Sequence, residues 1–245
     1  KFSLNFDAIE GLFKPKMPSL IGADISSSAV KMVEIADAGK GVYRLERYAI
    51  EPLPTESVVE GNINNLDAVI EAVKRCHKRL GSNLKNLALA LPNAAVISKK
   101  VLVAAGQSED DLGFDVERAA NEYIPFAIEE RVAVAEGAGL KAIVMDVDLF
   151  AAQSAFELIE ANMPERGNDL NIAVVDIGAT TMNVNVLRNN QSVYMREQPF
   201  GGTQLTQEIQ NKFGLSAEEA EAAKRAGGLP ENYESEVLQP FMDTL

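Results

Sequence analysis

The amino-acid sequence predicts an α/β fold of two lobes, each built from the same strand-rich unit. The main observation is a phrase that occurs twice: residues 24–35 read D-I-S-S-S-A-V-K-M-V-E-I, and residues 176–187 read D-I-G-A-T-T-M-N-V-N-V-L. In both, an apolar run precedes Asp-Ile, small or hydroxyl residues follow, and apolar positions then alternate as in a strand. The second observation is that helical periodicity follows the strands in each half. These repeats predict a duplicated fold that binds a nucleotide between two lobes.

The first unit is predicted to run strand, strand, strand, helix, strand. Its helix covers residues 66–80, where apolar positions have helical spacing, and it ends at Gly81. The small residues between the first two strands are typical of a tight turn. The predicted strands are 19–25, 29–35, 43–50 and 87–91, the last of them stopped by a proline.

A small inserted subdomain is predicted over residues 95–140, because the pattern changes there. It begins with a strand over 96–103, and a helix over 108–124 follows with a loose capping box at its start. A strand over 142–147 and a helix over 149–161 then return the chain to the first lobe.

The second unit repeats the order of the first. Its three strands are followed by a helix from about residue 204 to 213, which Gly201-Gly202 precedes. Ser216 with Glu219 forms a capping box that begins another helix, and Gly227-Gly228 ends it. Asn189-Asn190 is predicted to be a turn. The predicted strands are 172–176, 182–187 and 192–198.

Composition limits the classes of function. The chain has 245 residues and a net charge of −13, so a nucleic-acid surface is excluded as a general role. The single cysteine, Cys76, excludes an internal disulfide and fits a reducing compartment. No apolar run reaches the ~18 residues that a membrane helix needs. Residues 1–17 have an amphipathic pattern, which indicates either docking on a membrane surface or partner, or packing on the body of the protein.

Several motifs resemble the actin-like ATPase superfamily. I-G-A-D-I-S-S-S and V-V-D-I-G-A-T-T resemble its two phosphate motifs, and M-D-V-D before A-A-Q-S-A sits where that superfamily places its first interdomain connection. F-G-G-T-Q-L-T-Q-E-I and A-E-E-A-E-A-A-K-R resemble the branch that contains FtsA and PilM. The opening I-G-A-D-I-S-S-S-A-V-K-M-V-E-I, with E-P-L-P at 51–54 and E-Y-I-P-F at 122–126, is most similar to the PilM family of type IV pilus assembly proteins.

This resemblance implies a domain organisation. The chain would have an N-terminal amphipathic segment over 1–17 and a first lobe over 18–94 and 141–165. An inserted 1C-type subdomain would cover 95–140, and the second lobe 166–245. Compared with the family, the insert is short and the chain stops before the last Gly-Gly adenosine motif, so both are expected to be incomplete.

The resemblance also implies a function. PilM-like proteins bind ATP or ADP with Mg²⁺ and hydrolyse ATP weakly or not at all. They lie in the cytoplasm at the inner-membrane face and capture the N-terminal tail of a PilN-like membrane protein. Pilus motor ATPases are further implied partners. The groove for the tail lies between the first lobe and the insert, where the expected contact residues are Tyr123, Pro125 and Phe126.

The two phrases supply the candidate nucleotide site. Asp24 and Asp176 each follow a buried strand, and two alternatives stand for both: contact with Mg²⁺ through water, or capping of their own turn. The turns would form two phosphate clamps, since backbone N–H groups and hydroxyls can bind phosphate oxygens. The clamp residues are Ser26, Ser27, Ser28, Gly178, Ala179, Thr180 and Thr181.

Other residues have one functional and one ordinary interpretation. Lys31 would contact phosphate or remain a solvated strand lysine. Asp148 matches the connection residue that orders metal and water in active relatives, and it would alternatively cap its helix. Gly201 and Gly202 would bring a helix N-terminus close to phosphate or ribose, or form a plain turn. Lys224 resembles the adenosine-side lysine of FtsA-like proteins, or pairs with Glu221 on the surface.

Three other functions remain open on the sequence. A small-molecule kinase of the same superfamily would need a catalytic Asp and a closed substrate pocket. An FtsA-like cell-division filament protein would polymerise with ATP. The cytoplasmic domain of a type II secretion protein would have a similar fold.

Overall fold

The computed structural model describes residues 18–39, 42–96, 127–160, 162–167 and 169–244. The amphipathic segment predicted over 1–17, the helix predicted over 108–124 and nearly all of the strand predicted over 96–103 lie outside these residues. The expected groove residues Tyr123, Pro125 and Phe126 lie outside them as well. In the part of the chain that is described, no helix combines the length and the apolar character needed to cross a membrane.

The predicted strands and helices that fall within the described residues are present in the predicted order. The hairpin Val58–Val59 and Asn62–Ile63 and the helices Ala127–Gly137 and Gln239–Met242 are additional to them. The strands are β1 Ile21–Ile25, β2 Ala29–Asp37, β3 Tyr43–Pro52, β4 Val58–Val59, β5 Asn62–Ile63, β6 Asn86–Leu91, β7 Lys141–Val147, β8 Asn171–Ile177, β9 Met182–Arg188 and β10 Gln191–Gln198. The α-helices are α1 Leu66–Leu80, α2 Ala127–Gly137, α3 Asp148–Glu160, α4 Gly202–Phe213, α5 Ala217–Ala226 and α6 Gln239–Met242. Short 3₁₀ turns at Asn93–Ala95 and Pro164–Gly167 and a π-helical turn at Glu234–Leu238 complete the described elements.

The first lobe is built on a five-stranded sheet in the order β3-β2-β1-β6-β7. The β1–β2–β3 meander is antiparallel, whereas β6 and β7 run parallel to β1. Alternate residues of β1 and β6 are buried, so one face of the sheet belongs to the core. Helices α1 and α2 contribute to that core, whose buried members include Ile21, Val30, Met32, Val69, Val73, Cys76, Leu87, Leu89, Val134 and Ala135.

Helix α1 has the bounds that its periodicity predicts. Asn65 caps it by accepting a hydrogen bond from the N–H of Ala68, and Gly81 ends it in the left-handed conformation at φ 68°. Cys76, in the middle of the helix, is fully buried and its thiol donates to the carbonyls of Val30 and Ala49. Burial raises the pKa of this thiol to about 11, so the single cysteine is a core residue.

Helix α2 packs on the first lobe although it falls inside the range predicted for the insert. Val134 and Ala135 are buried in the first-lobe core together with Leu140. A Cβ on Gly137 would lie 2.7 Å from Ile70 Cδ1, so this end of α2 sits very close to α1. The domain boundaries stay a prediction, and we propose that residues 127–140 belong to the first lobe.

The second unit repeats the meander of the first. Its sheet has the order β10-β9-β8, as the first has β3-β2-β1. The turn between β9 and β10 is Asn189-Asn190, and both residues have positive φ, which type I′ hairpin turns require. The predicted capping box of Ser216 and Glu219 begins α5. Helices α4 and α5 pack around buried Ile209, Ala220 and Val237.

Helix α3 connects the two units, because it packs on β6 and β7 of the first and on β8 and β9 of the second. Polar contacts hold it to the β9–β10 hairpin. Gln153 Nε2 donates to the carbonyl of Asn190 at 2.9 Å, and its Oε1 accepts from Asn185 at 3.3 Å. Asn190 Nδ2 in turn donates to Glu157 at 2.8 Å. Helix α3 therefore lies where the two sheets approach each other.

Candidate functional site

The two repeated phrases form hairpins with the same geometry. In the first, the N–H of Ser26 donates to the carbonyl of Ala29 at 3.1 Å. In the second, the N–H of Gly178 donates to the carbonyl of Thr181 at 2.8 Å. The two turns also meet, since the hydroxyl oxygens of Ser27 and Thr180 lie 3.1 Å apart. The sequence repeat is thus a pair of facing turns, one from each unit.

A cavity of about 360 Å³ opens at these turns, between the units. This volume lies within the range of small-molecule sites. Eleven of the residues predicted to bind nucleotide, metal or water line it: Asp24, Ser26, Ser27, Ser28, Lys31, Asp148, Asp176, Gly178, Ala179, Thr180 and Thr181. Gly201, Gly202 and Lys224 are not among its lining residues.

Equivalent register positions in the two hairpins carry the polar groups of the cavity. Asp24 on β1 faces Lys31 on β2, and Asp176 on β8 faces Asn183 on β9. Lys31 Nζ donates to Asp24 Oδ2 at 2.9 Å, so the carboxylate of the first hairpin is neutralised within its own hairpin. Asn183 carries no charge and cannot do the same for Asp176. The carboxylate before the first turn, Asp24, is therefore paired with a lysine, whereas the carboxylate before the second turn, Asp176, faces an uncharged asparagine.

The carboxylate of Asp176 has no hydrogen bond or ion pair to any residue that the structure describes. Across the same described ranges, no group of three His, Cys, Asp or Glu side chains is placed to hold a metal ion directly.

Asp148 is the first residue of α3, and its Oδ1 accepts a hydrogen bond from the N–H of Leu149 at 2.6 Å. Burial raises the pKa of this carboxyl to about 6, although the Leu149 hydrogen bond acts in the opposite direction. The negative charges of Glu197, Asp24 and Asp176 raise it further. Asp148 is thus an acidic group whose charge changes near neutral pH, facing the cavity.

Replacing Asp148 by asparagine is expected to stabilise the ligand-free protein at pH 7.5. The folded-state pKa of Asp148 lies above the ordinary value of 3.8. The free energy of unfolding of wild type therefore falls as the pH rises from about 4 past 6. Above that range Asp148 is charged, and its burial destabilises the folded state to the full extent. Removing the charge should increase the free energy of unfolding by about 1–2 kcal/mol, or roughly 2–8 °C in Tm. The gain should vanish near pH 4.

Thermal unfolding of wild type and variant from pH 4 to 8 tests this prediction. Asp146→Asn is the matched control, because Asp146 also accepts a hydrogen bond from the next N–H, at 2.7 Å, but lies outside the cavity lining. A gain in Tm of Asp148→Asn that is equal at pH 4 and pH 7.5 would contradict the raised pKa.

Gly201 and Gly202 contact the backbone of the second turn and are not among the residues that line the cavity, so their approach to phosphate or ribose stays a prediction. The N–H groups of Gly202 and Thr203, at the start of α4, donate to the carbonyls of Gly178 and Ala179 at 3.0 and 2.8 Å. The helix N-terminus thus already has protein acceptors. Gly201 lies so close to the turn that a Cβ would be 2.5 Å from the carbonyl oxygen of Ala179.

Lys224 has a similar supporting position, on α5 behind α4. Its Nζ donates to the carbonyl of Gly202 at 2.9 Å and to Thr206 Oγ1 at 2.7 Å, and it pairs with Glu221 at 2.6 Å. Burial of Glu221 opposes its ionisation, but the hydrogen bonds from Lys224, Thr206 and Arg225 prevail and lower its pKa to about 2. The structure therefore shows the predicted pair with Glu221 in a partly buried position. In addition, Lys224 holds the start of α4, whose first N–H groups donate to the second turn.

Sequence reasoning missed several lining residues. Glu60 and Gly61 form the turn of the short β4–β5 hairpin, and both have positive φ. Their Glu-Gly pair is the one local signal that could have revealed this turn. Asn183 and Glu197 face each other across β9 and β10 and enter the cavity only because of that register.

Arg131 is the largest side chain that sequence reasoning missed. It lies on α2, is 1% exposed and lines the cavity. Its Nη2 donates to the carbonyl of Gly61 at 3.0 Å, whereas Nε and Nη1 are buried without a partner. Burial lowers its pKa, and the nearby charges of Glu130, Asp24 and Asp148 act in the opposite direction. Nothing in the local sequence E-E-R-V-A-V distinguishes it from a surface arginine.

Comparison with known proteins confirms the resemblance. A sequence profile of the family described as "Type IV pilus assembly protein PilM" matches residues 22–130 and 127–245. The solved structure of the "PilM-PilN type IV pilus biogenesis complex" aligns with 93% of this chain and 74% of its own, at a TM-score of 0.73 and 24% identity.

A second solved structure, ethanolamine utilization protein EutJ from Carboxydothermus hydrogenoformans, aligns with 95% of this chain and 68% of its own, at a TM-score of 0.61 and 20% identity. These alignments and the repeated meanders give the fold, which is the two-lobed actin-like ATPase fold that the sequence predicts. The chain belongs to the PilM family of type IV pilus assembly proteins.

Proposed function

We propose that this protein is an ATP-binding scaffold of type IV pilus assembly. The observation that carries the proposal is the pair of equivalent hairpin turns, which touch through Ser27 and Thr180 and line one cavity between the lobes. Backbone N–H groups and hydroxyls at such turns are suitable donors to phosphate oxygens. The bound ligand would be ATP or ADP.

Mg²⁺ would enter with the nucleotide and would be held through water by Asp24 and Asp176. The absence of a direct three-residue cation site in the described part of the chain supports this arrangement. Asp176 would contribute more than Asp24, because Lys31 already neutralises Asp24. Asp148 is the candidate to order metal-bound water, because it lines the same cavity as both aspartates.

The partner would be the cytoplasmic N-terminal tail of a PilN-like inner-membrane protein, bound at the inner-membrane face. Family membership and the likeness to the PilM–PilN complex support this part of the proposal. A nucleotide bound in this cavity would contact both lobes, and it would favour the arrangement of the lobes that binds it more tightly. Tail affinity would then depend on the nucleotide.

Calorimetric titration with a PilN-type N-terminal peptide, with and without Mg²⁺-ATP, tests the scaffold. We expect saturable peptide binding whose affinity differs between the two conditions by about fivefold or more, the usual size of coupling between sites. A peptide of the same composition in scrambled order is the control.

The outcomes separate the parts of the proposal. Binding of ATP without peptide binding in either condition would overturn capture of the tail and leave the nucleotide site. Peptide binding that is equal with and without Mg²⁺-ATP would overturn the coupling. Absence of any ATP binding would overturn the nucleotide-dependent function.

A further inference from the structure

Two donors of Arg131 lack acceptors in a nearly solvent-free position. The guanidinium carries five N–H bonds in a rigid fork and cannot give up its charge. Here one nitrogen, Nη2, is bonded to the carbonyl of Gly61, while Nε and Nη1 are buried without a partner. A buried donor left unpaired costs about 1–3 kcal/mol, and more when it is charged. Such a group is stabilised when a ligand supplies the missing acceptors.

The cavity wall itself explains which ligand chemistry would satisfy Arg131. Asp24 is already paired with Lys31, and Oδ1 of Asp148 accepts from the N–H of Leu149. The wall also carries the carboxylates of Glu60, Asp176 and Glu197, but none of these groups supplies an acceptor to Nε or Nη1 of Arg131. A ligand with several anionic oxygens would therefore supply the acceptors that Nε and Nη1 of Arg131 lack.

We propose that Arg131 binds an oxygen of the phosphate chain of the nucleotide, through the two donors that face no protein acceptor. This inference rests on the proposed nucleotide site and adds a residue from α2 to the hairpin turns. Arginine keeps its charge and holds its N–H donors in a fixed plane, which a lysine ammonium does not reproduce. The carbonyl of Gly61 accepts from Nη2 and so fixes the side chain, while Nε and Nη1 remain without protein acceptors.

The experiment measures the binding of ATP, adenosine and inorganic tripolyphosphate to wild type, Arg131→Gln and Arg131→Lys. Arg131→Gln should weaken ATP and tripolyphosphate by about tenfold or more, the usual size for a hydrogen bond to a charged group. Adenosine should bind wild type and variant equally, and Arg131→Lys should fall between them. Arg79→Gln is the matched control, because Arg79 also donates to a backbone carbonyl, that of Ile50 at 2.7 Å, but its side chain is exposed on α1 and lies outside the cavity lining.

Thermal unfolding of the same proteins distinguishes ligand binding from a structural role. If Arg131 binds phosphate, the rise in Tm produced by ATP should shrink in Arg131→Gln while the Tm without ligand changes little. A lower Tm without ligand, combined with unchanged ATP and tripolyphosphate affinity, would overturn the inference and assign Arg131 to packing against Gly61. Equal weakening of adenosine and ATP would overturn it as well.

The proposed function fails in a different way. If wild type binds tripolyphosphate through Arg131 but does not bind ATP, the nucleotide proposal is wrong and Arg131 is an anion-binding residue for another phosphate ligand. If wild type binds neither compound, both proposals are wrong.

Discussion

Replacement of Gly201 by alanine is expected to abolish saturable ATP binding and to lower the free energy of unfolding by about 1–3 kcal/mol. The added Cβ would lie 2.5 Å from the carbonyl oxygen of Ala179 and 2.6 Å from that of Gly178. Both neighbours are backbone atoms of the second turn, so the turn has to move. Because that turn meets Ser27 of the first through Thr180, the pair of clamps would no longer face the same ligand.

The adjacent glycine provides the control for this prediction. In Gly202→Ala the nearest atoms would be the flexible Lys224 Nζ at 3.4 Å and the Gly178 carbonyl oxygen at 3.9 Å. Gly202 is also the first residue of α4, where alanine is a good helix former. Calorimetry with Mg²⁺-ATP and thermal unfolding should show wild-type behaviour for Gly202→Ala. ATP binding of normal affinity in Gly201→Ala would refute the role given to this contact.

Replacement of Asp176 by asparagine is expected to change ATP binding in opposite directions with and without Mg²⁺. With Mg²⁺, loss of the carboxylate removes an anionic acceptor for metal-bound water, and affinity should fall about tenfold, or ~1.4 kcal/mol. Without Mg²⁺, the variant removes a negative charge that repels the phosphates, and affinity should rise about threefold. Titrations of ATP in Mg²⁺ and in EDTA measure both values.

Asp24→Asn and Asp37→Asn are the comparisons for Asp176. Asp24 is paired with Lys31, so its replacement frees a lysine for phosphate and should reduce Mg²⁺-dependent affinity less than Asp176→Asn. Asp37 lies at the end of β2 and accepts from the N–H of Gly39 at 2.7 Å, outside the cavity lining, so its replacement should have no effect. An equal loss in Mg²⁺ and in EDTA for Asp176→Asn would contradict the metal-linked role.

Local sequence patterns were sufficient to predict most of the regular elements. Helix α1 has its predicted bounds because an apolar stripe, a capping asparagine and a terminal glycine all lie within one continuous stretch. The two hairpins were predicted for the same reason, since each needs only two alternating runs and a short polar turn. The family resemblance, carried by those same turns, is confirmed by the profile match.

Residues that act through long-range packing were not predicted. The residue type alone gave no sign that Arg131 is 1% exposed, because its burial depends on how α2 settles against the first-lobe core and the β4–β5 turn. The contacts of Gly201 and Lys224 were not predicted either, since Gly201 packs against the backbone of the second turn and Lys224 donates to the start of α4. The contact of both residues with nucleotide stays a prediction. Their positions depend on the packing of α4 on the hairpin, which no local pattern encodes.

The sequence by itself determined the repeated hairpins, the α/β class and the family, because strand alternation, turn chemistry and helix caps each depend on residues that are neighbours in the chain. Only the tertiary structure decided that Ser27 and Thr180 meet, that Asp24 is compensated while Asp176 is not, and that Arg131 presents unpaired donors to the same cavity. These features depend on register and packing between segments far apart in the chain, where contacts are selected by the burial and pairing of the whole fold.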